Sequence, residues 1–138
     1  MNYKIIGKYI KELKFNIPNP KTFFLLSKYI ANYKINIDIK SSPAKENIIE
    51  VITSLSLSPA KDDFEAINTK IIFSTIVELS DNQLSKEKME KIILIEVPSK
   101  IYPELRKIFV FLFENSGFKD VKINEEVDFE KLYKEKFS

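Results

Sequence analysis

Apolar and polar residues alternate through most of the first 80 positions of this chain, and the period then changes. In GKYIKELKFNI, Leu13, Phe15 and Ile17 face one way, while Glu12, Lys14 and Asn16 face the other. A period of two marks a strand with one wet face. YKINIDIK repeats it, with Ile35, Ile37 and Ile39 inward and Lys34, Asn36 and Asp38 outward. IIEVITSLSLS puts Ile49, Val51, Thr53, Leu55 and Leu57 on one face, and AINTKIIFSTIVELS reads as a long fourth strand. PNP (residues 18–20), SSPAKEN (41–47) and SPAKDDF (58–64) separate them as turns or breaks, since proline lacks the donor a ladder needs. The short connections favour antiparallel pairing.

After Ser80 the pattern is helical. Ser85 is placed to cap SKEKMEKI, and VPS (97–99) breaks it from a long helix opening near Tyr102 and Pro103 and ending at Gly117. DFEKLYKEKF forms a last helix, with acids early, lysines late, and Phe129, Leu132 and Tyr133 as its apolar stripe. Four strands followed by helices predict an α+β fold, a four-stranded antiparallel sheet with the C-terminal helices on one face. Without a repeat or linker, residues 1–138 are expected to form one domain.

The long helix contains IFVFLF, six consecutive apolar residues. At roughly 100° per residue, Ile101, Leu105, Ile108 and Leu112 form the stripe expected to dock on the sheet. Phe109 and Phe113 widen it on one flank and Phe111 on the other, giving an apolar arc of roughly 200°, while Val110 projects among charged neighbours. One sheet has little with which to cover so wide an arc. Phe109, Phe111 and Phe113 are therefore expected to face another subunit. TFFLLSKYIANY raises the same question between the first two strands. Its Phe23, Phe24, Leu25, Leu26, Tyr29, Ile30 and Tyr33 could cap the open end of the core or wall an apolar groove for extended peptide.

Composition excludes much chemistry. The chain has no His, Cys or Trp, so it has no imidazole base, thiolate nucleophile, disulfide or Cys/His zinc site. Its two glycines lie in no phosphate-binding pattern, and Asp62-Asp63 and Glu125-Glu126 look like solvated turn acids. We expect no enzyme, no cofactor and no metal, but a binding module. A net charge of +2 with interleaved signs gives no case for nucleic acid. The lysine-interrupted amino terminus and the lack of a run near ~20 apolar residues predict a cytoplasmic protein that does not insert in a membrane.

Three segments, in order, carry a family resemblance: YIKELKFNIPNP, PSKIYPELRKI and GFKDVKINEEVDFEKLY. They resemble the segments typical of the bacterial protein-export chaperone SecB family: an extended stretch ending in PNAP, a P-x-x-x-x-P-[YF]-x-R helix start, and a GFPPLxLxPVDFxxLY-like end. Element order and length agree over nearly the whole chain. The resemblance implies a homotetramer, a dimer of dimers joined through the long helices. It implies an ATP-independent holdase that keeps preproteins unfolded in apolar grooves and passes them to the translocase motor SecA. The groove would lie between the crossover TFFLLSKYIANY, with Tyr29 where the family has tryptophan, and helical elements that add Phe129 and Tyr133.

The departures also carry information. Lys119, Asp120 and Glu126 stand where the family has prolines. On the sheet face implied to dock SecA, Glu12 matches a family acid, but Asn16 and Ala66 replace two others, and the acidic tail that the resemblance implies is expected to be missing. SecA docking is therefore expected to be weak. Those missing acids leave open a SecB-like chaperone dedicated to one partner such as an antitoxin. A small-ligand-binding α+β domain is the alternative outside the chaperone class.

Overall fold

A computed structural model describes residues 2–29, 33–59, 68–80, 84–118, 123 and 125–137. The strands are β1 (Tyr3–Asn16), β2 (Tyr33–Lys45), β3 (Ile48–Pro59) and β4 (Asn68–Leu79). They form one antiparallel sheet in the order β1-β4-β3-β2, so the first two strands in sequence occupy opposite edges. The α+β reading holds: α2 (Lys86–Lys91), α3 (Val97–Glu114) and α4 (Phe129–Phe137) follow the sheet.

The alternation fixes which face is buried. Val51, Thr53, Leu55 and Leu57 of β3 lie beneath the helices beside Ile71, Phe73, Thr75 and Val77 of β4. β2 extends further than its alternation does, because Pro43 sits on a free edge where its missing donor costs no ladder bond. The hairpin turn shrinks to Glu46 and Asn47, with Asn47 supplying the left-handed φ of 64°. β1 loses register between Ile5 and Gly7 and again between Ile10 and Glu12. These bulges account for the imperfect alternation of its first half.

TFFLLSKYIANY is not a plain connector. Pro20–Tyr29 is a helix, α1. The Asn19 side chain accepts from the Thr22 N–H at 2.9 Å and its hydroxyl at 3.1 Å, and the Asn19 carbonyl accepts from Phe23 N–H at 3.1 Å. PNP thus ends a strand and starts a helix, with Asn19 as the N-cap and proline at the first helical position. Ten residues at ~1.5 Å each span about 15 Å, matching three strand spacings of ~4.8 Å. α1 is therefore long enough to carry the chain from one sheet edge to the other.

VPS is likewise not a break. Ser85 caps α2 as expected, accepting from Lys88 N–H at 3.2 Å, but α2 runs on through one π-helical turn, Ile92–Glu96, into α3. Val97 N–H donates to the carbonyl of Ile92, five residues back. In a straight α-helix the ring of Pro98 would collide with the carbonyl of Leu94, and the wider turn relieves this.

The phase of α3 differs from the expected stripe. Its buried ridge is Val97, Ile101, Leu105, Phe109 and Phe113, at a strict spacing of four, whereas Ile108 and Leu112 are only half-buried. Phe109 and Phe113 are completely enclosed by their own chain. This corrects the expectation that they face another subunit. The cause is an aromatic cluster at the helix end. Phe113 meets Phe15 of β1 edge-on at 5.1 Å, Phe109 at 5.2 Å and Phe118 at 5.8 Å. Gly117, at φ 94°, turns the chain back so that Phe118 N–H donates to the Phe113 carbonyl at 3.0 Å and the Phe118 ring meets that residue's ring edge-on. Val110 is half-buried against the core, and Phe111 alone of the three phenylalanines is exposed, at 59%.

Candidate functional site

A groove runs along the outer edge of β2. Its larger part, about 560 Å³, is lined by five consecutive strand residues, Tyr33 to Ile37. A smaller part of about 220 Å³ continues along Ile37, Asp38 and Ile39. Ile37 and Leu132 belong to both, so the two are one feature. Consecutive residues alternate between the faces of a sheet. A hollow that touches every one of them is walled by the strand's edge, where main-chain groups are presented. No strand pairs with that edge among the described residues. The opposite wall is apolar: Tyr102 of α3, then Ile123 and Val127, then Phe129, Leu132 and Tyr133 of α4, with Leu94 of the π turn behind. Phe129 meets Tyr102 edge-on at 6.0 Å, and the Tyr133 hydroxyl donates to Glu90 at 3.0 Å, so α4 is tied to both preceding helices.

A second hollow of about 540 Å³ lies at the start of α1, bounded by Phe15, Ile17, Asn19, Pro20, Phe23 and Ser116. The expected groove residues are thus divided. Tyr33, Phe129 and Tyr133 line the β2 groove, and Phe23 lines the second hollow, packed on Phe118 at 5.1 Å. Phe24 is exposed at 67%, Leu25 is half-buried, and Tyr29 is half-buried with the Lys28 ammonium 5.2 Å from its ring centre. Leu26 is fully buried and serves the core rather than a groove, because it lies on the inner side of α1 with Thr22. Ile30 lies outside the described residues. The groove residues missed from sequence are Leu94, Tyr102, Ile123, Val127 and Leu132, together with the inner row of β2. Their available signal was an edge strand whose isoleucines stay half-buried, legible only once the strand order is known.

The other sheet edge carries a different surface. Ile10 and Leu13 pair with Phe73 and Ile71 and so share the helix-covered face, yet they are exposed at 45% and 42%. Lys8 on that face reaches Glu104 of α3 at 2.5 Å. Ile108, Phe111 and Leu112 follow Glu104 at helical spacing, extending an apolar surface from β1 onto the helix.

The outer sheet face holds the two expected docking positions. Glu12 lies opposite Ile72 and is exposed, ion-paired with Lys14 at 3.2 Å; Asn16 is exposed at the strand end, opposite Asn68. Ala66 lies outside the described residues. The more structured acid on this face is Glu50. Its carboxylate accepts from Ser74 at 2.6 Å, Tyr9 at 3.1 Å and Lys11 at 3.2 Å, stitching β1, β4 and β3 together. The Ser74 hydrogen bond, opposed by desolvation and aided by Lys11 and Tyr9, holds its pKa below the ordinary 4.5. A depressed carboxylate pKa gives stability that is present above 4.5 and lost as pH falls through the folded value. Glu50→Gln should lower Tm by about 2–4 °C at pH 7, with the difference vanishing at acid pH. Thermal melts from pH 3 to 7 check this, and an equal deficit at every pH would contradict it.

No helix among the described residues is long and apolar enough to cross a membrane. The sequence profile of the family described as SecB, preprotein translocase subunit SecB, matches residues 1–138. A putative protein-export protein SecB of Pelagibacter ubique is 40% identical over 135 residues, covering 98% of this chain and 96% of that one. The protein-export protein SecB of Anaplasma phagocytophilum is 24% identical, covering 98% and 92%. Among solved structures, the Mycobacterium tuberculosis SecB-like chaperone in complex with a ChAD peptide from the HigA1 antitoxin superposes with a TM-score of 0.64 at 10% identity, covering 89% of this chain and 90% of that one. At that identity the likeness establishes the shared fold. With a whole-chain family match and a 40% identical relative, this chain belongs to the SecB family of protein-export chaperones.

Proposed function

We propose that the protein is an ATP-independent holdase that keeps preproteins unfolded in the cytoplasm by binding extended segments in the β2 groove. The observation that carries this is the groove's construction, a strand edge facing an apolar wall. An unfolded segment laid there would pair its main chain with β2 and bury alternate side chains against Tyr102, Phe129 and Leu132. Main-chain pairing is blind to sequence, and apolar burial is tolerant of it, which suits a chaperone of many clients. Neither process needs a nucleotide. The hollow at Phe23 would take a further apolar part of the client, with exposed Phe24 beside it.

Hand-over to SecA would use the outer sheet face. Around the expected docking positions that face offers little free negative charge, since Glu12 and Glu50 are each paired with a lysine and Asn16 is neutral. We place SecA docking as weak for this reason. The same observation favours a second reading, a chaperone dedicated to one partner. The related-fold chaperone that binds an antitoxin peptide gives that reading a structural parallel.

The holdase reading predicts slower aggregation of several chemically unfolded, unrelated clients near stoichiometric ratio. Leu132→Asp, at a position 45% exposed, should keep the fold and weaken that protection several-fold. Protection confined to a single client would select the dedicated reading. No protection of any client would sink both.

For assembly we propose a homotetramer, a dimer of dimers, using the β1–α3 surface of Ile10, Leu13 and Phe111 rather than Phe109 and Phe113. Leaving such large side chains in water forfeits roughly 1.5–3 kcal/mol each. Phe111→Asp should therefore give a lighter particle with a folded protomer, measured by light scattering and circular dichroism. Phe113→Ala should instead cost about 3–5 kcal/mol of protomer stability in urea. Wild-type mass in Phe111→Asp would contradict the assignment.

A further inference from the structure

Arg106 is the chain's single arginine, and it lies on α3 one turn after Tyr102, the groove residue that this helix contributes. Its Nε donates to the carbonyl of Ile123 at 3.1 Å in a partly buried setting. Ile123 is 6% exposed and, with Val127, forms the part of the groove wall that belongs to no described helix or strand. The Val127 carbonyl accepts from Phe129 N–H at 3.1 Å, whereas the Ile123 carbonyl takes its donor from another element. One helix therefore supplies both a groove contact and the fastening of the wall beside it.

Building on the groove reading above, we propose that Arg106 is a positioning residue for client binding: by holding the Ile123 carbonyl it keeps the wall at Ile123 and Val127 set at the width of an extended chain. It touches no client itself. A wall held in place before the client arrives spares the entropy of ordering it on binding. Lysine is no substitute at this position. The hydrogen bond leaves from Nε, part-way along a planar guanidinium, whereas lysine offers only a mobile terminal ammonium. Tyr102, one turn back on the same helix, feels the charge of Arg106.

The test uses the full chain and a fluorescein-labelled nine-residue peptide of alternating leucine and serine, read by anisotropy. Arg106→Met keeps the apolar stem and removes the donor. The Kd should rise about fivefold, because part of the cost of ordering the wall then falls on binding. Tm should fall by only a few degrees, while amide exchange at Ile123 and Val127 accelerates. Arg106→Lys should show the same rise in Kd, and it carries the test if the methionine variant does not fold. A purely structural role would move Tm without raising the Kd of the folded fraction, and that result overturns the proposal. So does full rescue by lysine. If Leu132→Asp weakens peptide binding and neither arginine variant does, only this inference falls. If the wild-type chain fails to bind the peptide, the groove reading falls and takes the inference with it.

Discussion

The structure rests on a mismatch of widths. A four-stranded sheet is about 15 Å across from first to last strand, whereas one helix is about 10 Å wide with its side chains. α3 buries Val97, Ile101, Leu105, Phe109 and Phe113 toward the inner face, where its backbone lies nearest the central strands β3 and β4. It cannot cover the edges as well. On β2, Ile35, Ile37 and Ile39 stay half-buried, and on β1, Ile10 and Leu13 stay open. The uncovered margin on one side becomes a groove because Ile123, Val127 and α4 rise opposite it. The margin on the other side has Lys8, Glu104 and Phe111 beside it and remains a surface.

Strand order assigns those two margins their different roles. Because β1 and β2 are at opposite edges, the chain must cross between them, and Asn19 with Pro20 begins a helix for that crossing. The Phe15, Phe23, Phe113 and Phe118 cluster then closes the region where β1, α1 and α3 meet. Aromatic residues that looked excessive in the sequence are spent on this closure. What they leave open, Phe24 and Phe111, is correspondingly small and located.

The period-two pattern made the four strands and their buried rows legible, because a one-residue slip in any of them would turn isoleucines to water. It carried no information on strand order, which depends on pairings distant in sequence. The groove was therefore only half visible: Tyr33, Phe129 and Tyr133 were within reach, while Tyr102, Ile123 and Leu132 depended on knowing what packs beside β2. The phase of α3 was misread for a related reason. Ile108 and Phe109 are equally good core residues by hydropathy, and the choice between them was made by Phe15 and Phe118, which lie on other elements. Pro20 and Pro98 look alike as breakers, yet one starts a helix and the other is absorbed by a π turn. Local sequence names the obstacle, and tertiary packing decides how it is passed.

On the holdase reading, the outer-edge main chain of β2 is the binding element and the apolar wall its complement. Hydrogen exchange on the full chain, with and without an unfolded client, tests it most directly. Alternate amides between Tyr33 and Ile39, those directed to the outer edge of the sheet, should gain protection when client is bound, while β4 is unchanged. Unaltered exchange along β2 beside a client that is demonstrably bound would place the binding site elsewhere and contradict the account.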